Sequence, residues 1–408
     1  MKRLFYSFVA FMLCIGCVFG LMSCKLRVRA NCLSEDYAPR KVRVAPTTDK
    51  QMLASYAFAL SLICQTAKEE NTLLSPLSVM LALAMTANGA NGETKAQMEK
   101  ALGMPIEQLN GFLYAMLQNT DQEVLGIAQS IWFRENAIHV SPAFLQTNAD
   151  YFGADAYAAP FDQTTLKDIN KWVDYHTDGM IKELLDSINS AAVMYLISAL
   201  AFDAKWERAY PSSAIQNADF FHLDGSMETV QMMHSTESLY LTNGEAQGFM
   251  KYYEGGRYAY MGILPPEHTS PDDYLASLTP EALFTLLTTP QHVAVNAGTP
   301  AYSFSDHHNL NDALKAMGIT DAFHPTLADF TGIDTAGGLS IDEVIHKTFI
   351  DVNADGTRAA AVTSVGVKTT SAEPTETVTV VLNRPFIVVL FDTYTNLPLF
   401  VGTVYTID

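Results

Sequence analysis

The chain has 408 residues, of which 49% are hydrophobic, 11% aromatic and 17% charged. That is ample apolar material for a large core and too little charge for extended disorder. The net charge is −19, and because residues 1–46 are net basic the sequence after residue 46 is more acidic still; a body this acidic repels phosphate backbones, which excludes nucleic acid as a partner.

Lys2 and Arg3 precede an apolar run from Leu4 to Met22, followed by Ser23-Cys24. A charged start, an apolar stretch and a small-residue cleavage site describe a secretory signal over residues 1–23. Leu21-Met22-Ser23-Cys24 resembles the lipobox of bacterial lipoproteins. By that resemblance Cys24 becomes the first mature residue, carries lipid on its thiol and ties the protein to a membrane of the bacterial cell envelope. Cys17 after Ile15-Gly16 is a weaker match. Read otherwise, the same run is long enough to span a bilayer as an uncleaved anchor. Cys14 and Cys17 fall in the signal, so of five cysteines only Cys32 and Cys64 remain in the body, and nothing requires them to pair. Residues 24–46 read as a basic tether suited to anionic headgroups, with Pro39 and Pro46 against helix.

Regular patterns begin at residue 47 and continue to 408 as a single domain. Met52, Tyr56, Leu60 and Ile63 have amphipathic helical spacing. Ser75-Pro76 is an N-cap followed by proline at the first helical position, and the apolar stretch Leu77–Ala87 predicts a buried helix ending at Asn88-Gly89. Ile169, Trp172, Val173, Ile181 and Leu184 predict an amphipathic helix over 168–185, and a shorter one is expected over 311–317. Strand patterns fall at 193–202, 229–241, 258–264, 345–353, 378–382 and 386–391. Helices dominate the first half and strands the second, which predicts an α+β fold with large antiparallel or mixed sheets.

No nucleophile elbow, phosphate loop, zinc-protease motif or dinucleotide fingerprint is present, and the carboxylates form no acid–base pair by spacing. An enzyme is therefore not expected. Asp351-Val-Asn353-Ala-Asp355-Gly356 matches the opening of a calcium loop, but its twelfth position is Val362 where a bidentate glutamate is needed. Neither a metal nor a cofactor is implied.

Residues 354–370 are a run of small and β-branched side chains broken by no proline or aromatic ring. With period two, Thr357, Ala359, Ala361, Thr363, Val365 and Val367 share one strand face, while Arg358 and Lys368 share the other. The segment passes into Ser371–Thr377, polar and broken by Pro374, which reads as an exposed loop. A stretch fit for a central strand but attached to a solvent loop has two alternative places; an ordinary strand and turn is the simpler reading.

Gly356-Thr357 followed by Ala359-Ala360-Ala361 resembles the reactive-loop hinge of serpins. Asn71–Ser78 with Gly89–Thr94, Ile169–Val173 with Thr177–Ile181, Phe202 with Trp206, Asn383–Phe386 and Leu399–Gly402 are similar, in the right order, to further motifs of that family. The resemblance runs from about residue 48 to the end. It implies three β-sheets, about nine helices and an exposed reactive loop at about 354–377. It also implies a monomer that inhibits serine proteases by covalent trapping, with papain-like cysteine proteases as a further class of target. The protease attacks the loop, and the cut loop then enters the central sheet as a new strand. Gly356, Thr357, Ala359, Ala361, Thr363 and Val365 would form the hinge and inserting face. Counting fourteen residues from Gly356 puts the cut after Thr370, but the loop is longer than the family's, so the reactive bond is expected between Val367 and Ser371. Lys368–Thr369 suits a trypsin-like enzyme; Val367, Thr369 and Thr370 suit elastase-like and subtilisin-like ones. Ser75, Ser78, Ser198, His346 and Trp206 would form the sheet-opening region, with Ser198 where the family usually has asparagine. Ala354 and Arg358 stand where many inhibitory members carry glutamate. The alternative is a non-inhibitory member serving as a binding or chaperone module.

Overall fold

The computed structural model describes residues 28–121, 124–189, 192–358 and 377–407. The lipobox, Cys24 and the loop from Ala359 to Glu376 lie outside them. Among the described residues are nine α-helices and three hydrogen-bonded sheets.

The first half carries β1 (Asn31–Cys32), α1 (Asp49–Thr66), β2 (Thr72–Leu74), α2 (Pro76–Ala87), α3 (Gly92–Leu102) and α4 (Ile106–Gln118). It continues with β3 (Leu125–Arg134), α5 (Pro142–Phe152), β4 (Asp155–Ala159), α6 (Gln163–His176), β5 (Met194–Phe202) and β6 (Ala204–Lys205). A capping box of Thr48 and Gln51 starts α1, and Ser75 caps α2, whose twelve residues are all buried. α6 begins on the Asp162 capping box but ends at His176, short of the expected 185. Asp178 and Gly179 turn there with positive φ. Ile181 and Leu184 are still buried, because the Asn170 side chain takes the Leu184 and Leu185 N–H groups and donates to the Leu185 carbonyl. One amide thus gives an irregular segment the polar satisfaction a helix would have supplied.

The second half runs β7 (Ile215–Phe221), β8 (Met227–Thr242), β9 (Gln247–Tyr252), β10 (Tyr258–Leu264), α7 (Pro271–Ser277), α8 (Pro280–Thr288), β11 (Gln291–Pro300) and β12 (Tyr302–Asn309). After α9 (Asn311–Ala316) come β13 (Ile345–Val352), β14 (Gly356–Thr357), β15 (Thr377–Val381), β16 (Phe386–Asp392) and β17 (Leu397–Val404). β8 is long enough to pair along one edge with β11 (Met232–Tyr240) and along the other with β7 at its start and β9 at its end, joining nine strands into one sheet.

The remaining strands form two four-stranded pieces, ordered β1-β4-β3-β5 and β12-β13-β14-β6. β5 alternates with period two: Tyr195 and Ile197 lie under α6 with Trp132, Tyr157 and Trp172, whereas Leu196, Leu200 and Phe202 face the main core. Trp172 is fastened there by Nε1–H donation to Asp155 (3.0 Å).

The described part of the basic segment, expected as a tether, is docked on the body. Asn31 and Cys32 pair with Ala158 and Tyr157, and Leu33 N–H donates to the Ala156 carbonyl. The Asp168 carboxylate accepts from the N–H groups of Arg29 (2.8 Å) and Ala30 (3.0 Å), and Arg40 clasps Asp150 with two nitrogens. Main-chain pairing needs no apolar pattern, which is why side-chain reading missed it. Cys32 and Cys64 are both free. Asp168→Ala should remove about 2 kcal/mol of local stability, seen as faster hydrogen exchange of the Arg29–Leu33 amides, with α6 protection unchanged.

Candidate functional site

Among the described residues no ladder joins β5 to β13, so the central sheet is divided by a slit. β14 closes one end of it. Thr357 pairs with Val352 of β13 and with Ala204 of β6, and Gly356 pairs with Lys205, all antiparallel. Thr357 is buried, and its hydroxyl shares a 2.5 Å hydrogen bond with Tyr253, whose own hydroxyl is pushed well above its ordinary pKa by burial. Tyr253 stacks on Trp206 at 4.5 Å.

Trp206 is a shelf for the hinge. Its backbone N–H donates to the Asp355 carbonyl (2.9 Å) and its Nε1–H to the Asn353 carbonyl (2.8 Å), while Tyr210 N–H donates to the Ala354 carbonyl (2.9 Å). The Asn353 side chain accepts from the N–H groups of Asp355 and Gly356. The calcium-like spacing is thus a tight asparagine-capped turn between β13 and β14. Lys251, itself buried, lies 4.4 Å from the Tyr210 ring and donates to Glu237 at 3.0 Å.

A second station sits under the middle of the slit, at the start of α2. Ser78 Oγ lies 2.8 Å from Ser198 Oγ and 3.2 Å from the Ser198 carbonyl on β5. On the other margin Ser75 N–H donates to Nε2 of His346 on β13 (3.0 Å), and Thr348 donates to the Leu73 carbonyl (2.8 Å). Leu73 N–H in turn donates to Asp306 of β12, which also holds His308. Residues 73–78 therefore grip both margins.

The five residues expected to act together in sheet opening divide between these stations. Ser75, Ser78, Ser198 and His346 meet at α2, whereas Trp206 stands eight residues beyond Ser198, ~26 Å along the strand line, beside Gly356 and Thr357. Ala359, Ala361, Thr363, Val365, Val367, Lys368, Thr369, Thr370 and Ser371 fall outside the described residues. Tyr253, Tyr210, Lys251 and Thr348 escaped sequence reading because their partners lie far away in the chain. Gln129, buried and paired with Ser198 in the β3–β5 ladder, escaped for the same reason.

Residues 53–407 match the family model described as Serpin (serine protease inhibitor). The chain belongs to the serpin family. A serpin-like protein of Thermococcus kodakarensis is 30% identical over 350 residues, covering 81% of this chain and 80% of its own length. Pig leukocyte elastase inhibitor is 30% identical over 72% of this chain and 82% of its own length. The thermophilic serpin tengpin in its native state is 42% identical, with a TM-score of 0.88 over 93% of this chain and all of that one. Tengpin in its latent state, 40% identical over 90% of this chain and all of that one, scores 0.79. The present fold is thus nearer the native form. The three-sheet serpin fold and α+β class expected from sequence are what the structure has, and serpins are mostly protease inhibitors rather than catalysts.

His346 is fully enclosed and must accept from Ser75, so it is neutral. Burial lowers its pKa from 6.5 to about 4, with His308 and His307 adding to the fall and Asp306 opposing it. The unfolded chain takes up this proton near pH 6.5 and the native one only near 4, so stability is complete above about 6.5 and is lost as pH falls towards 4. The shift corresponds to about 3 kcal/mol. His346→Gln, which keeps an acceptor without titrating, should flatten that part of the decline in the thermal midpoint between pH 7 and 4.5.

Proposed function

We propose that this serpin is a suicide-substrate inhibitor of trypsin-like, elastase-like and subtilisin-like serine proteases, and of papain-like cysteine proteases. The protease cleaves within residues 367–371, and the severed loop then fills the slit. The observation that carries this reading is the position of β14, a two-residue wedge already antiparallel to both margins.

If the inserted strand kept the registers of β14, Ala359 would face Phe202 and Ile350, Ala361 would face Leu200 and Thr348, and Thr363 would face Ser198 and His346. Val365 and Val367 follow opposite Leu196 and Met194. The two ladders agree on which face turns inward: Leu200 and Phe202 on one margin and His346, Thr348, Ile350 and Val352 on the other are all buried. Odd loop positions, all Ala, Thr or Val, would enter the core, and Arg358 and Lys368 would face water. Thr357 to Val367 spans ~33 Å, so a cut after Lys368 or Thr370 leaves a full strand still bonded to the protease. The acyl-enzyme persists because deacylation requires an undistorted triad and oxyanion hole. Similarity to leukocyte elastase inhibitor supports the elastase-like range, and Lys368 the trypsin-like one.

We further propose that Cys24 is lipidated, that residues 24–27 link the lipid to the docked segment, and that the monomer acts from a bacterial envelope membrane. No helix among the described residues is long and apolar enough to cross a membrane.

Incubation with trypsin and with pancreatic elastase, followed by a denaturing gel, should give heat-stable covalent adducts with both; clean cleavage alone would reduce the protein to a substrate. Lys368→Ala should slow trypsin inhibition by at least about tenfold and leave elastase inhibition unchanged. Thr363→Arg should turn the inhibitor into a substrate while the uncleaved protein keeps its thermal midpoint, since only the inserted form must bury the new charge.

A further inference from the structure

Strand register fixes the pole at which the described chain begins. Asn31 pairs with Ala158, Ala158 with Phe133, and Phe133 with Met194, the first residue of β5. The hinge is level with Ala204, so ~33 Å separate it from the level of Asn31 along the strands. In the register proposed above, the inserted loop ends with Val367 opposite Met194, at the same level as Asn31. Four strand spacings lie between them, ~19 Å.

Residues 29–32 are pinned at this pole by Asp168 and by the β1–β4 ladder. From Val28 back to Cys24 is four residues, a reach of at most ~14 Å. The loops that close the pole, residues 135–137, 160–162, 186–189 and 342–344, contain Glu135, Asp162, Asp186, Asp342 and Glu343 and no lysine or arginine. Anionic headgroups repel such a rim, whereas Arg29 beside it, and Lys25 and Arg27 a few residues before it in the sequence, carry the charge they attract.

We infer that the anchored molecule stands on this pole with its reactive loop facing away from the bilayer. Trapping then carries the protease into the gap between pole and bilayer, so the length of chain between Cys24 and Val28 limits trapping on a membrane. The inference rests on the trapping and lipid-anchor readings. A protease of about 220 residues has a radius of gyration of ~17 Å and a diameter of ~44 Å, three times the tether's reach. Insertion on the membrane must tilt the body or pull β1 from β4, and the delay gives deacylation time to win.

The test compares three preparations of the full lipidated protein against trypsin. These are the protein in phosphatidylethanolamine–phosphatidylglycerol vesicles, the same protein in mild detergent, and a variant in vesicles with twenty Gly/Ser residues inserted between Arg27 and Val28. The readout is the number of inhibitor molecules consumed per trypsin blocked. The short-tether protein on vesicles should consume about three-fold more than either of the others, while its loop is first attacked as fast as in detergent. Equal consumption in all three, slower first attack on vesicles, or a mature mass without lipid would overturn the inference. Cleavage without adduct in detergent would instead sink the trapping mechanism itself, since no bilayer is present there.

Discussion

The structure turns on a sheet that is not finished. β5 and β13 face each other across the slit with no ladder between them, although the same two strands are fully paired on their outer sides, to β3 and β12. Backbone N–H and C=O groups along such margins are the strongest unmet demand in a folded chain, and a strand is the structure that meets it. The proposed mechanism therefore gives the fold a lower-lying arrangement within reach, and what would separate the two is how the margins are held.

They are held lightly. At mid-slit the links are Ser78 to Ser198, Ser75 to His346 and Thr348 to Leu73. Each is a neutral hydrogen bond contributing on the order of 1 kcal/mol net, so parting the margins costs a few kcal/mol. A ten-residue strand bonded on both sides would add about twenty main-chain groups in ladder pairs and bury the Ala, Thr and Val face besides. On the trapping mechanism proposed above, that balance would favour insertion once the loop is severed and free to follow. Before that, the intact loop is tied at both ends, to β14 and β15, and β15 is itself locked into the large sheet beside β11.

How much of this was legible in the sequence depends on the range of the interaction. The Ser75-Pro76 start of α2 and the alternation of β13 are local signals, and each is where its pattern put it; of the hinge, only Gly356 and Thr357 lie among the described residues. The division of the central sheet is not local: β5 and β13 read as ordinary strands, and nothing in either predicts that the neighbour is missing. Tyr253 reaches Thr357, and Trp206 reaches Asn353, across more than a hundred residues. The early end of α6 was hidden because Ile181 and Leu184 keep helical spacing while Asn170, not a helix, satisfies their backbone. β1 was hidden because a two-residue strand in a basic segment is held by main chain and by one carboxylate, Asp168.

Arg358 marks where the present ladder stops and why it stops there. Its φ of +51° lies in the left-handed region that non-glycine residues rarely occupy, although its N–H still makes the ladder hydrogen bond to the Asp351 carbonyl at 2.7 Å. Its Nη1 is buried and finds no hydrogen-bond partner among the described residues. A left-handed backbone at a long side chain costs about 1 kcal/mol or more, and an orphaned buried donor costs a similar amount. Extending the strand by one residue would return Arg358 to β geometry and, by the alternation that buries Thr357, turn its guanidinium to water. On the proposed mechanism, the step that would start insertion is thus the one that would release the strain at Arg358.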